Sequence, residues 1–405
     1  MSQTLFFFNS TCEMAVANSQ VSYLPPAHLR QFENSLATMP CFFADEKDAV
    51  LTHEPVLPEF VEHLQLLGFK IPSFIRTPED LHPNSLPLTR LRPWGWSPAV
   101  HNLLRPYLPL CHNQWFAHPM HKWEPHHRLL LSRETGYKLL QKILELEDNS
   151  LNIIEMPALP LKLSSLLDVE QVIDTIPPPA LLKTPWSASG RGLFKIRDAN
   201  EHAETNVWVK SKLKQQGFMF AEPFLNKIAD LSFHFQIEPD GVRYLGYNFF
   251  ETLPSGQFSG CYTHLPYDQT IDESLLIEAI EQGSTILKKA LENLMINKYY
   301  QGPAGVDAML FRNKNNQIKL QPCIELNLRH SMGLLNIHLR NRIHPLKRGK
   351  WKISIISSEE WQQMDQKYNE PAGSNMEDGF IAKGIVALTP PPSEKGVMAW
   401  LQMEP

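Results

Sequence analysis

Polar and apolar positions alternate most regularly between residues 306 and 329. Val306, Ala308 and Leu310 form one apolar row and leave Asp307 on the other side. Ile318, Leu320, Ile324 and Leu326 form a second row, opposed by Lys319, Gln321, Glu325, Asn327 and Arg329. Two alternating runs around the polar stretch Arg-Asn-Lys-Asn-Asn predict a β-hairpin. Burying both apolar rows together requires residues of equal parity to pair, so the loop is odd in length or one strand is bulged. Pro322, which cannot donate to a ladder, is the natural place for a bulge.

The rest of the pattern mixes both periods. Leu5 to Phe8 reads as a short buried strand, with a second strand through Cys41 to Phe43 and a third over Ile71 to Ile75. Pro58 to Leu67 is an amphipathic helix stopped by Gly68. Ser132 starts a helix to Leu146 with Leu139, Leu140, Ile143 and Leu144 inward. A strand near Asn152 to Glu155 and a helix over Ser164 to Ile176 follow. Ala180 to Lys183 and Phe218 to Leu225 are further strands, and Leu231 to Ile237 pairs with Val242 to Phe249 around Pro239-Asp240-Gly241. Glu273 to Met295 is an amphipathic helix capped by Asp272. Trp351 to Ile356 and Phe380 to Leu388 close the chain as strands. The class is α+β, with an α/β N-terminal part.

With 405 residues there is chain enough for two or three domains. A hydrophobic share of 43% and a charged share of 20% are ordinary for a globular protein. A net charge of −5 argues against nucleic acid or an anionic membrane as partner. The five cysteines have no paired short spacing, which excludes a disulfide framework and a Cys-based zinc site. The apolar run Leu5 to Phe8 is far too short for a signal or a membrane span, and the cytoplasm is the expected compartment. His112, His118, His121, His126 and His127 alternate with Trp and Pro in a loop-like stretch, so an ordered loop is expected there and not zinc.

Chemistry concentrates on the polar face of the hairpin. Asp307, Glu325 and Asn327 would converge there as a hard oxygen cluster suited to Mg²⁺ shared with nucleotide phosphates. Arg329 points the same way and could hold a transferring phosphoryl group. The competing reading is an edge hairpin with a solvated face. Upstream, the strand ending at Lys183 leads into a loop of small residues, Ser187, Ala188, Ser189, Gly190, Arg191 and Gly192, whose amides could cradle an anion. The loop lacks the G-K-[ST] ending of a Walker motif. Arg133 lies in the first turn of a helix, a placement that favours an anionic partner. Glu222 is an isolated charge after an apolar run, and the exocyclic amine of adenine would satisfy it, with Phe224 and Leu225 in the linker beyond. Asp230 could take ribose hydroxyls. Asn9 and Glu13, just past the first strand, are substrate candidates, although helix capping by Asn9 competes. The run Pro93-Trp94-Gly95-Trp96-Ser97 is expected to pack, with the floor of a substrate pocket as the alternative.

In this order, the strand lysine with its small-residue loop, the acid opening a linker, the strand acid Asp307 and the Glu-x-Asn-x-Arg run from Glu325 to Arg329 resemble the ATP-grasp superfamily. The resemblance spans about 133 to 339. It implies an ATP-grasp domain over 125–345 whose two subdomains clamp ATP, with a lid at about 177–225. It also implies a pre-ATP-grasp domain over 1–124, leaving 346–405 as an appendage packed on the core. Implied too are Mg²⁺ on Asp307, Glu325 and Asn327, and ligase chemistry in which a carboxylate is phosphorylated by ATP and an amine, or less readily a thiol, displaces the phosphate. Lys183 and Arg329 would be the catalytic cations, and His330 and Ser331 would touch the acceptor. A hydroxyl kinase on the same scaffold and a non-catalytic nucleotide-binding regulator remain alternatives. The expected partners are the small carboxylate and amine, and a homodimer stays open.

Overall fold

The computed structural model describes residues 3–81, 86–146, 152–187, 190, 192–198, 202–266, 271–369 and 375–404. The N-terminal part is a four-stranded parallel sheet. Its strands are β1 (Gln3–Phe7), β2 (Ala49–Leu51), β3 (Ser73–Ile75) and β4 (Leu88–Pro93), in the order β3-β2-β1-β4. β1 lies inside this sheet, which is why Leu5, Phe6 and Phe7 form a continuous apolar run with both faces covered. Helices α1 (Cys12–Asn18), α2 (Ala27–Ser35), α3 (Pro58–Leu66) and α4 (Pro98–Leu104) pack around it. The strand expected at Cys41 to Phe43 is instead a 3₁₀ turn, Met39–Phe42. Pro40 suits the first turn of such a helix, where its missing N–H costs nothing. The second strand comes later, at Ala49–Leu51.

After α5 (Pro125–Leu130) and α6 (Arg133–Leu146), the expected strand at 152–155 contributes only an isolated bridge between Ile154 and Leu320. A small unit with its own core follows: β5 (Leu161–Leu163), α7 (Leu166–Thr175), β6 (Ala180–Lys183), β7 (Leu193–Ile196), α8 (His202–Gln216) and β8 (Met219–Pro223). Its antiparallel sheet runs β5-β8-β6-β7. Val169, Val172, Leu182, Ile196, Val209 and Met219 fill the space between this sheet and its helices.

The remaining strands form one eight-stranded sheet. They are β9 (Asn226–Glu238), β10 (Gly241–Thr252), β11 (Phe258–Tyr262), β12 (Gly302–Arg312), β13 (Ile318–Asn327), β14 (Gly349–Ser357), β17 (Ile385–Ala387) and β18 (Lys395–Met403). The order is β13-β12-β9-β10-β11-β14-β18-β17, and the named pairings are antiparallel. α9 (Glu273–Asn293) lies across one face, and α10 (Met332–Arg340) packs against β10, β11 and β9. α11 (Ser358–Tyr368) and the two-residue strands β15 (Met376–Glu377) and β16 (Phe380–Ile381) complete the chain. The C-terminal segment therefore extends the central sheet by hydrogen bonding into it through β14. No helix among the described residues is long and apolar enough to cross a membrane.

Candidate active site

The hairpin β12–β13 pairs residues of equal parity around a five-residue loop: Arg312 faces Ile318, and Asp307 faces Glu325. The register shifts between Asp307 and Met309, where Pro322 to Ile324 bulge opposite Ala308. The bulge keeps Asp307, Glu325 and Asn327 on one face, because directly paired residues share a side of the sheet. Asn327 donates from Nδ2 to Asp307 Oδ2 at 3.1 Å, and its Oδ1 accepts from Arg329 Nη2 at 3.1 Å. Burial, then the neighbouring Glu325 carboxylate, push Asp307 up to about 7.

Cations close over this cluster from two directions. Arg133, at the start of α6, reaches Glu325 Oε1 at 2.9 Å, the Thr184 carbonyl at 2.6 Å and Ser187 Oγ at 2.7 Å. Its Nε is buried with no hydrogen-bond partner among the described residues. Arg329 is ion-paired with Glu13 from the first turn of α1. Lys183, at the end of β6, is buried and paired with Glu222 on β8. The site thus neutralises itself, each cation resting on a carboxylate.

The lid loop is shaped by close approach. Gly190 sits at φ +74°, and a Cβ there would run into the Ser255 carbonyl. A Cβ on Gly192 would collide with Thr184 and Ser187, whose backbone it abuts through the Thr184 N–H to Gly192 carbonyl bond of 2.9 Å. Thr184 Oγ1 is buried and has no partner among the described residues. Ser189 and Arg191 lie outside the described residues.

A cavity of about 30 Å³ is lined among others by Glu13, Arg133, Ser187, Glu325, Asn327 and Arg329, while Asp307, Lys183 and Glu222 lie outside its lining. Cys12, Gly95, Trp96 and Ser132 share the lining and were not singled out as site residues from sequence. The Trp-Gly-Trp run carried the signal for two of them. Trp94 and Trp96 are both buried, as expected, but Trp96 also faces the cavity, and a Cβ on Gly95 would crowd Cys12 and Arg329.

Several expected contacts fall elsewhere. Asn9 clamps Gly95, donating to its carbonyl at 2.8 Å and accepting from its N–H at 3.2 Å, so it does not cap the helix; it lines a second, larger cavity. His330 is buried among Phe6, Phe43 and Trp94, with Nδ1 3.1 Å from the Pro93 carbonyl, and it does not line the cavity. Ser331 caps α10 by accepting from the Leu334 N–H at 3.2 Å. Asp230 is tied to Lys227 at 2.6 Å and Thr252 at 3.0 Å. Phe224 is exposed beneath Lys195, whose Nζ lies 3.4 Å from the ring centroid, and the Leu225 carbonyl accepts from the Lys227 N–H at 3.0 Å. The histidine-rich stretch packs by stacking, Trp96 on Trp115 and Trp115 on His118. Among the described residues, no three His, Cys, Asp or Glu side chains form a metal-binding group. A hard cation at the hairpin would therefore rest on two carboxylates and an amide. That donor set fits Mg²⁺, which takes one or two carboxylates and fills its shell with water and phosphate.

A small antiparallel unit with its own core beside a large antiparallel sheet with an acidic hairpin face is the arrangement of an ATP-grasp fold. No protein-family model matches the chain, and no curated protein matches it. Solved structures do. Biotin carboxylase from Campylobacter jejuni, in a βγ-ATP complex, is 12% identical, with 100% of this chain and 87% of that chain covered and a TM-score of 0.51. The biotin carboxylase domain of the Hydrogenobacter thermophilus 2-oxoglutarate carboxylase, a dimer in complex with MgADP, ADP and bicarbonate, is 10% identical, covering 100% of this chain and 86% of that one with a TM-score of 0.51. N5-carboxyaminoimidazole synthetase from Staphylococcus aureus with ADP gives 12% identity, coverage of 99% and 93%, and a TM-score of 0.49.

Proposed function

We propose that the protein is an ATP-dependent ligase that activates a carboxylate as an acyl phosphate for attack by an amine. The observation that carries this reading is the meeting of Asp307, Glu325 and Asn327 with Arg329 on one face, with Arg133 bridging Glu325 to the Thr184 carbonyl next to Lys183 in the chain. Two carboxylates and an amide next to Arg133 and Arg329 suit a polyphosphate with its divalent ion, and Ser187 adds a hydroxyl beside them. The two solved structures above with TM-scores of 0.51 carry adenine nucleotides, and one also holds Mg²⁺ and bicarbonate.

Bound MgATP would supply the electrophilic phosphorus and the charge neutralisation of its leaving group. In this chain Asp307, Glu325 and Asn327 would hold the ion. Lys183 and Arg133 would leave their carboxylates to bind phosphate oxygens, and Glu222 would then be free for the adenine amine. A substrate carboxylate oxygen attacks the γ-phosphorus and ADP departs. The amine then attacks the acyl carbon, inorganic phosphate leaves, and the ammonium proton is lost to a nearby base. Arg329, held by Glu13, would steady the transferring group, where placement and charge account for most of the rate. All five cysteines are free thiols, which suits a reducing cytoplasm.

The test is ADP formation from MgATP over a pool of carboxylates and amines, with phosphate measured in parallel. Equal ADP and phosphate with an amide product are expected. A stable phosphorylated alcohol with no free phosphate would assign a kinase, and no ADP above background would leave a binding role.

A further inference from the structure

A second, much larger cavity of about 1360 Å³ opens on the other side of α1. It lies past the ends of β1, β2 and β4, where Phe7, Thr52 and Ser97 line it. Ligands of parallel α/β sheets bind at the carboxyl ends of strands, and the volume exceeds that of an ordinary small-molecule pocket. Pro390 to Val397 border it, so the last part of the chain helps to build it.

The cavity has two unlike ends. Thr11, Glu33 and Thr38 make a polar inner end. Glu33 accepts from the Thr11 N–H at 2.7 Å, and among the described residues no Lys, Arg or His forms an ion pair with it. Burial, against the hydrogen bonds from Thr11 and Ser10, raises its carboxyl above the ordinary range. Thr38 Oγ1 is buried without a partner among the described residues. The outer end is apolar: Val21, Leu24, Leu57 and Leu103 line it, and all four are exposed. Side chains of this size left open to water around one cavity mark a surface that is covered in use. Arg30, Lys395, Glu54 and Glu394 also border the cavity, giving it both signs of charge there.

Cys12 lines both cavities. Burial and then Glu13 and Glu33, one carboxylate on each side, push its thiol up. A cationic group seated at the inner end would meet the Glu33 carboxyl, which has no ion-pair partner among the described residues, and past Cys12 the Glu13 carboxylate, already paired with Arg329.

We infer that this cavity is the acceptor site, and that the acceptor is a primary amine carried on an apolar body. The amine enters at the Cys12 junction and the body lies against Leu24, Leu57 and Leu103. This rests on the ligase reading only for the word acceptor; the binding preference stands on the cavity.

Calorimetric titration of the full chain with butylamine, hexylamine and octylamine, and with hexanoate, tests it. Affinity is expected to rise by about fourfold per added methylene while the body stays within the apolar end, with hexanoate binding at least tenfold more weakly than hexylamine. Leu24→Glu, at an exposed position outside the phosphoryl site, is expected to abolish the chain-length dependence and to leave the Kd for MgATP unchanged. Glu33→Gln, checked for folding by its thermal transition, is expected to remove the preference for amine over carboxylate. No binding, no dependence on chain length, or equal binding of hexanoate would overturn the inference. A protein that binds the amines as described but does not bind MgATP would keep the cavity and remove the ligase reading.

Discussion

Two polar clusters sit on the same face of the central sheet, a few strands apart, and they are built on opposite terms. Asp307 pairs across the ladder with Ser232, and Ser232 with Asn248, so the face that carries the acidic hairpin continues beneath α10. Under the helix the side chains from Ser232 to Trp351 form a neutral network of matched pairs, with the charge of Arg340 set at the end of α10 on the Tyr247 carbonyl. Asn336 donates to Asn248 Oδ1 at 2.6 Å and to the Tyr262 carbonyl at 2.7 Å, and accepts from Trp351 Nε1 at 3.0 Å. Asn248 donates to Cys261 Sγ at 3.3 Å, and Ser232 Oγ lies 2.9 Å from His234 Nε2. At the hairpin the groups are charged, and half-buried Asp307 has the Asn327 amide as its one hydrogen-bonded partner among the described residues. A satisfied neutral network fixes one packing, whereas paired charges around an uncompensated carboxyl remain ready to exchange partners.

The strongest way to break that contrast is to remove the acidic centre. Glu325→Ala deletes one of two carboxylates on the acidic face and takes from Arg133 its ion-pair partner. ADP formation is expected to vanish while the circular dichroism spectrum stays that of the parent protein. Retained turnover would dissolve the distinction between the two clusters. Arg329→Met comes next: kcat is expected to fall about 10²–10³-fold with the Kd for MgATP unchanged, because in the proposed reaction the guanidinium would act on the transferring group and not on resting nucleotide. A loss confined to nucleotide affinity would reassign it to simple phosphate binding.

The acidic centre was legible in the sequence because a β-strand has a period of two. Parity alone put Asp307, Glu325 and Asn327 on one side, and Pro322 marked the bulge that preserves their register. Arg133 and Lys183 were legible by position, one in a helix first turn and one at a strand end. The partners they hold at rest were not. Glu13 reaches Arg329 across 316 residues of chain, and no local pattern encodes such a meeting. His330 and Ser331 show the opposite failure. Adjacent to the arginine in sequence, they turn away from the cavity because the chain leaves the strand there, one packing on Trp94 and the other starting α10. Cys41 to Phe43 misled because three apolar residues cannot distinguish a strand from a buried turn. The covered cluster under α10 gave no sequence signal either, since Asn248 and Asn336 come together across 88 residues.

Asn336→Leu sharpens the comparison from the covered side. The substitution keeps the volume but strands Asn248 Oδ1, the Tyr262 carbonyl and the indole N–H of Trp351 in the interior. An orphaned buried polar group costs about 1–3 kcal/mol, and with partial relaxation a total loss near 3 kcal/mol is expected in denaturant unfolding. The Kd for MgATP is expected to stay unchanged in the folded fraction. Weakened nucleotide binding at full stability would make this cluster part of the site and not its support.

The smallest effect expected is a pH dependence confined to the covered cluster. His234 is fully enclosed between Ser232, Ser331 and Gly333, and burial, then the nearby Arg340 charge, lower it to about 3. In the unfolded chain the same imidazole titrates near 6.5. Below that pH the unfolded state takes up a proton that the folded state refuses, so this contribution is present above pH 6.5 and is lost as pH falls towards 3. At pH 5.5 the loss amounts to about 1.4 kcal/mol. His234→Gln keeps a hydrogen-bonding side chain for Ser232 and cannot titrate. Its unfolding free energy, measured between pH 7.5 and 5.5, is expected to fall by about 1.4 kcal/mol less than that of the parent. Identical pH profiles would mean that His234 takes up its proton in the folded state, and that the covered cluster can admit charge as the hairpin does.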